Sequence, residues 1–139
     1  ILVVTGLGGS LSAILRGTPA VDFIAAFFSD YGLPAILLPF VIGIIGNMIT
    51  GSTTVGVITA ASLVSPMLGN LALSPDAAML AGASGSVIIK YVNSSYFWVC
   101  TSLSKLSVAD AVFSYGGATL VGGIVSFVTV CVMWGLGII

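Results

Sequence analysis

The sequence predicts an all-α polytopic membrane protein, with transmembrane helices interrupted by broken or re-entrant segments. Three observations carry this. Only 5% of the 139 residues are charged, against 58% hydrophobic, and mean hydropathy is +1.27. A soluble domain carries about a quarter charged residues, so this chain could not cover its surface in water. No Asp, Glu, Lys or Arg occurs from Tyr31 to Pro75 or from Tyr115 to Ile139, and roughly 20 apolar residues suffice to cross a bilayer core. Finally, the apolar runs are cut by clusters of glycine, hydroxyl and amide side chains. The whole of 1–139 reads as a single membrane domain.

Taken in order, Ile1-Leu2-Val3-Val4 looks like the middle of a helix, with no basic region of a cleaved signal peptide before it. The chain therefore reads as a piece of a longer one. "TGLGGSLS", Thr5 to Ser12, suits an unwound turn or hairpin tip, since Gly6, Gly8 and Gly9 tolerate backbone angles other residues avoid. Thr18-Pro19 offers an N-cap and a first-turn proline. The apolar stretch after it, "PAVDFIAAFFSD", is too short to span; it suits an interfacial helix or one arm of a hairpin.

Pro34 to Leu68 would make a continuous helix of roughly 52 Å, too long for one plain crossing and short for two crossings with a turn. An interrupted tilted crossing fits, and so does a pair of half-helices. Either way the interruption falls at Thr50–Thr54, around Gly51. Ser74-Pro75-Asp76 starts the next helix, with an acid near its positive end. "AAMLAGASGSVII" then supplies small residues for close packing, and "KYVNSSYFWVC" breaks it at Asn93, Ser94 and Ser95. Lys90 suggests a place near the membrane interface, and Tyr96, Phe97 and Trp98 resemble an interfacial aromatic belt. Ser107 to Asp110 resembles a capping box, opening a short amphipathic helix before the last span.

Non-helical backbone survives at membrane depth only when buried in protein or lining a wet cavity. Transporters exploit this with half-helices whose free N–H ends and hydroxyls hold cargo. "NMITGSTTVGVIT", residues 47–59, has such parts: Gly51 to unwind, and Asn47, Thr50, Ser52, Thr53 and Thr54 to bind without placing charge in the membrane. "VNSS" supplies a second cluster. The competing account is that these small residues only pack helices or bond back to their own backbone. For any single serine that account is the better one; for Thr50–Thr54 the cluster favours binding.

Hydrolytic chemistry has no support, because the chain has no His, no Glu and no Cys beside a base. Cys100 and Cys131 lack metal-ligand spacing and read as small hydrophobes. The aspartates at 22, 30, 76 and 110 sit at turns or helix ends.

The order "TGLGGSL", "YGLPAILLPFVIG", "GSTTVGVITAASLVSPML", "LSPDAAMLAGASGSVI", "VNSSYFW" and "LSVADA" resembles the carboxyl-terminal third of the gluconate permease family, within the ion transporter superfamily. The resemblance covers nearly the whole chain, and "GSTTV" and "VNSSYFW" are its most specific blocks. It implies a bacterial inner-membrane symporter moving gluconate or a related sugar acid, or in one branch D-serine, with protons. It also implies half of an inverted-repeat fold, completed by an amino-terminal repeat missing here. Thr5–Gly9, including Gly8 and Gly9, would be a glycine-rich break, Gly51–Thr54 a broken helix beside the substrate, and Asn93 and Ser95 part of a second polar motif.

Three positions depart from the family: Asn47 stands where an arginine is usual, Tyr91 where a histidine is, and Ser94 where an aspartate is. An amide pairs with a carboxylate less well than arginine does, and the lost histidine and aspartate are the better proton carriers. The resemblance implies H⁺ as coupling ion, and neutral oxygens of Ser52, Thr54, Asn93 and backbone carbonyls offer Na⁺ as the alternative. The expected partners are a small organic anion, the lipid bilayer, the missing repeat and, as one option, further copies of the chain. No nucleic acid and no cofactor is expected.

Overall fold

A computed structural model describes residues 30–139, together with Ser10, Ile14, Pro19 and Ala26. The glycine-rich segment at Thr5–Gly9 and the apolar stretch at 20–29 lie outside the described residues, apart from Ala26. Everything regular in the described part is helical.

Helix α1, Leu37–Thr50, ends where Gly51 adopts φ 69°, a left-handed value that only glycine reaches cheaply. Ser52 is extended and caps α2, Thr53–Val64, by accepting from the Val55 N–H at 3.4 Å. The interruption thus falls at the expected place, and of the two alternatives the structure shows the pair of half-helices. They run back against each other as a hairpin. Gly46 of α1 packs so closely on α2 that a Cβ there would lie 3.1 Å from Gly56 Cα. At 14 and 12 residues, about 21 and 18 Å long, neither helix would cross a bilayer core. A 3₁₀ turn, Ser65–Met67, follows α2.

Helix α3, Pro75–Ile88, starts as the sequence predicts, with Ser74 accepting from Ala77 N–H at 3.1 Å and Asp76 in the first turn. It is the central helix and packs against α1, α2 and the last helix. Small residues make this possible. A Cβ on Gly43 would collide with the Gly82 carbonyl oxygen, and one on Gly85 with that of Phe40, so α1 and α3 meet backbone to backbone. Ser86 bridges them, donating to Gly82 O at 2.8 Å and sharing with Gly43 O at 3.4 Å.

After the irregular segment 89–94, α4 covers Ser95–Ser104. Then α5, Val108–Ala111, begins at Ser107, which accepts from Asp110 N–H at 3.2 Å and donates to Asp110 Oδ2 at 2.6 Å. No separate amphipathic helix follows. Through a π turn at Val112–Gly116, α5 runs straight into α6, Gly117–Gly135. No proline or left-handed residue lies between them, so nothing stops the helix. Together Val108–Gly135 is the one helix among the described residues long and apolar enough to cross a membrane. Its outer side chains, Val121, Val125 and Val128 among them, are exposed.

The apolar core of Ile36, Leu38, Val64, Met67, Ala77, Ala81 and Val130 gathers the start of α1, the end of α2, the start of α3 and the later turns of α6. Phe40 stacks on Phe127 at 3.7 Å between ring centroids. This core lies at the end of the bundle away from the Gly51 turn, which leaves the turn end to polar residues.

Candidate functional site

Two chain interruptions meet at that end. The α1–α2 turn, 51–52, and the α3–α4 segment, 89–94, are held together by long-range hydrogen bonds. Asn93 Nδ2 donates to Met48 O at 2.8 Å and to Asn47 O at 3.3 Å, capping the carboxyl end of α1. Asn47, fully buried, reciprocates by donating its amide to Ile89 O beyond the end of α3. Gly51 is pressed against the Asn93 backbone, where a Cβ would strike the carbonyl oxygen. Thus each segment has an amide covering the other's exposed carbonyls, which answers the cost of breaking helices away from water.

Between the two segments lies a cavity of about 260 Å³, bounded by residues 51–54 on one side and by Lys90, Ser94, Ser95 and Tyr96 on the other. Both α2 and α4 begin at this cavity. Ser52, Thr53 and Thr54 are the N-cap and first turn of one helix, Ser94, Ser95 and Tyr96 those of the other. Ser94 makes no side-chain cap bond within α4. A helix start presents unpaired N–H groups and about half a positive charge, so two donor-rich ends converge on one polar space.

Of the residues the sequence singled out, Gly51, Ser52, Thr53, Thr54, Ser94 and Ser95 line this cavity. Thr50 does not; its hydroxyl turns back to Gly46 O at 2.7 Å. Asn47 and Asn93 stand behind the lining, as caps and braces. Asn93 Oδ1 is a buried acceptor without a partner among the described residues. Gly8 and Gly9 lie outside the described residues.

Lys90 is the residue that sequence reasoning passes over. Its sequence context points to the membrane interface; in the fold it is 8% exposed, with Nζ donating to Asn47 Oδ1 at 2.8 Å. The available signal is a lone cation between an apolar helix and a polar motif, but its partner is 43 positions away in sequence. Of the three aromatics read as an interfacial belt, one departs from that reading. Phe97 is fully buried, edge-on to Trp98 and Tyr115 at 5.5 and 6.1 Å, while Tyr96 is exposed and Trp98 half-exposed, its Nε1 donating to Val92 O. Larger in volume is the space between α3 and α6, about 580 Å³, but aliphatic side chains such as Leu80, Val87, Val125 and Val130 dominate its walls. It offers no charge to a polar ligand.

Comparison with known proteins bears on what such a site serves. The model of the GntP family permeases matches residues 1–136. The chain belongs to the GntP permease family. It is 38% identical over 77% of its length to an uncharacterized permease of Haemophilus influenzae, covering 22% of that protein. It is 33% identical to a gluconate permease of Bacillus licheniformis, over 78% of this chain and 24% of the relative. A D-serine transporter of Escherichia coli is 29% identical over 91% of this chain and 28% of its own length. The chain thus spans about a quarter of the curated relatives it matches. No solved structure matches. A permease family is a family of membrane proteins and not of enzymes, which agrees with the missing catalytic constellation. Among the described residues, the cavity between the broken helices is a place where donors from two elements converge.

Proposed function

We propose that this chain forms part of a secondary active transporter that carries gluconate or a related small organic acid across the bacterial inner membrane. The observation that carries the reading is the convergence of two helix starts, α2 and α4, on one polar cavity at the crossing of two chain interruptions. In transporters such half-helix N-termini face the anionic groups of substrates. Membership of the permease family, with relatives named as gluconate permeases and D-serine transporters, supports the same conclusion.

In this reading Ser52, Thr53, Thr54, Ser94 and Ser95 contribute hydroxyls to the substrate, and Asn47 and Asn93 hold the two breaks in register. Transport follows alternating access, one bundle rocking against another about the fixed site. The segment described here works with a second repeat elsewhere in a multi-pass protein, and homo-oligomers are compatible with it. The coupling ion is H⁺. A Na⁺ ligated by Ser52 and Thr54 would share its cavity with the Lys90 ammonium, and two cations in one cavity repel strongly when water is scarce.

The rival account, that the small polar residues only pack helices, explains Gly43, Gly82, Gly85 and Ser86 well. It does not explain Thr53 and Thr54, whose surfaces bound a cavity. Uptake of radiolabelled gluconate into vesicles containing the natural full-length protein tests the proposal, with H⁺ and Na⁺ gradients imposed separately. Accumulation driven by the H⁺ gradient is expected. Accumulation driven only by Na⁺ would overturn the coupling, and no accumulation of gluconate or another small organic acid would overturn the transport reading.

A further inference from the structure

Four helix ends meet around the cavity. The starts of α2 and α4 bring partial positive charge, and the ends of α1 and α3 bring partial negative charge that the Asn93 and Asn47 amides cover. The amide caps offset the carboxyl ends, so the two starts leave the cavity mildly electropositive. The one full charge at the cavity among the described residues is the Lys90 ammonium, and it reinforces that sign. That group is buried, and its side-chain partner is a neutral amide oxygen; among the described residues no carboxylate pairs with it. Burying a cation without a counter-ion is expensive, and an anionic ligand would supply the counter-ion that the described residues do not. An ammonium has three N–H donors. One is given to Asn47 Oδ1, which leaves two; the residue lines this cavity and also an apolar space beside Tyr91, Phe113 and Gly116 that offers no acceptor side chain for an ammonium except the Tyr91 hydroxyl.

We propose that Lys90 binds the carboxylate of the transported substrate and so determines that the site takes anions. The assignment rests on the transport reading above and names the group that recognises the cargo. Asn47 is its positioning residue: fixed by its own bond to Ile89 O, it holds the ammonium at the cavity instead of letting it reach toward solvent. The hydroxyls of Ser52, Thr53, Thr54, Ser94 and Ser95 then face the uncharged remainder of the ligand, which suits a polyhydroxylated or amino acid better than a fatty one. A neutral polyol of the same size lacks the group that answers the buried charge, and the site rejects it.

The test uses the purified full-length transporter and measures binding of radiolabelled gluconate by equilibrium dialysis, alongside uptake in proteoliposomes. Lys90→Gln keeps a donor for Asn47 and removes the charge. It is expected to weaken gluconate binding at least about tenfold, since a charge-assisted hydrogen bond contributes about that much or more. Lys90→Arg retains most of the affinity. Adding Asn47→Arg to Lys90→Gln returns a cation to the same place and restores binding in part, a recovery that a merely structural lysine would not show. Lys105→Gln, at an exposed left-handed helix end, leaves binding unchanged. Thermal unfolding of each variant separates loss of binding from loss of fold. Wild-type affinity in Lys90→Gln, with uptake intact, overturns the assignment and leaves the transport reading standing. So does a Lys90→Gln protein that loses affinity but is rescued by neither cationic variant. Absence of both binding and uptake of gluconate, D-serine and other small organic acids in the wild type overturns the transport reading and this assignment with it.

Discussion

Replacing Gly51 by alanine tests whether the site depends on the contact between the two chain breaks. Two separate costs are expected. At φ 69° a Cβ is strained against the backbone, by about 1–2 kcal/mol. The new methyl would also strike the Asn93 carbonyl oxygen and lie 2.7 Å from its carbon and 3.2 Å from Ser94 Cα. Those atoms are backbone, so they cannot turn aside as a flexible side chain would, and overpacking of this kind costs about 1–3 kcal/mol. The sum is roughly 2–5 kcal/mol. Gly32 separates the two contributions, because it has φ 61° and a methyl added there would meet nothing within 4 Å; Gly32→Ala should cost only the backbone part. The assay is reversible unfolding of the full-length protein in mixed micelles, with gluconate binding measured on the folded fraction. Gly51→Ala should unfold more readily than Gly32→Ala by about 1–3 kcal/mol and bind gluconate more weakly, as the Asn93 segment is pushed from the turn. Equal destabilisation by the two substitutions would refute the close contact and the reasoning built on it.

Gly85→Ala should destabilise by about 1–3 kcal/mol, because its methyl meets the Phe40 carbonyl, whereas Gly122→Ala, in open space on α6, should be neutral or slightly stabilising; the same unfolding assay decides. Asn93→Asp keeps the shape but turns a double donor into an acceptor facing two carbonyls, so a loss of about 1–3 kcal/mol is expected, with weaker gluconate uptake. Thr54→Ala removes an exposed hydroxyl that bounds the cavity, so uptake should fall while unfolding moves by less than about 0.5 kcal/mol. The reverse pattern in Thr54→Ala, stability lost and uptake per folded molecule kept, would favour packing over binding.

Much was legible in the sequence because it depends on local chemistry. A chain with three cations and four acids in 139 residues needs a membrane, whatever its tertiary fold. A glycine followed by Ser-Thr-Thr ends one helix and starts another through neighbours within a few positions, as the Gly51 turn and the Ser52 cap show. Ser74-Pro75 and Ser107 to Asp110 start helices for the same reason. Local chemistry misled where the outcome depended on distant partners. Phe97, read as an interfacial aromatic, fills the space beside Tyr115 and is fully buried. Thr50, grouped with its neighbours, is turned from the cavity by a bond to its own helix.

By itself, then, the sequence determined the solvent, the helical class and the positions of both breaks, since each follows from composition or from contacts within a turn. That α1 and α2 fold back as a hairpin, and that the breaks at 51–52 and 89–94 face each other, emerges from packing between elements. The same holds for Lys90, buried beside Asn47. The contacts between the breaks, and that of Lys90 with Asn47, join residues 42 to 46 positions apart. They arise from glycine-to-carbonyl packing between α1 and α3, a match of two surfaces that no single stretch of sequence contains.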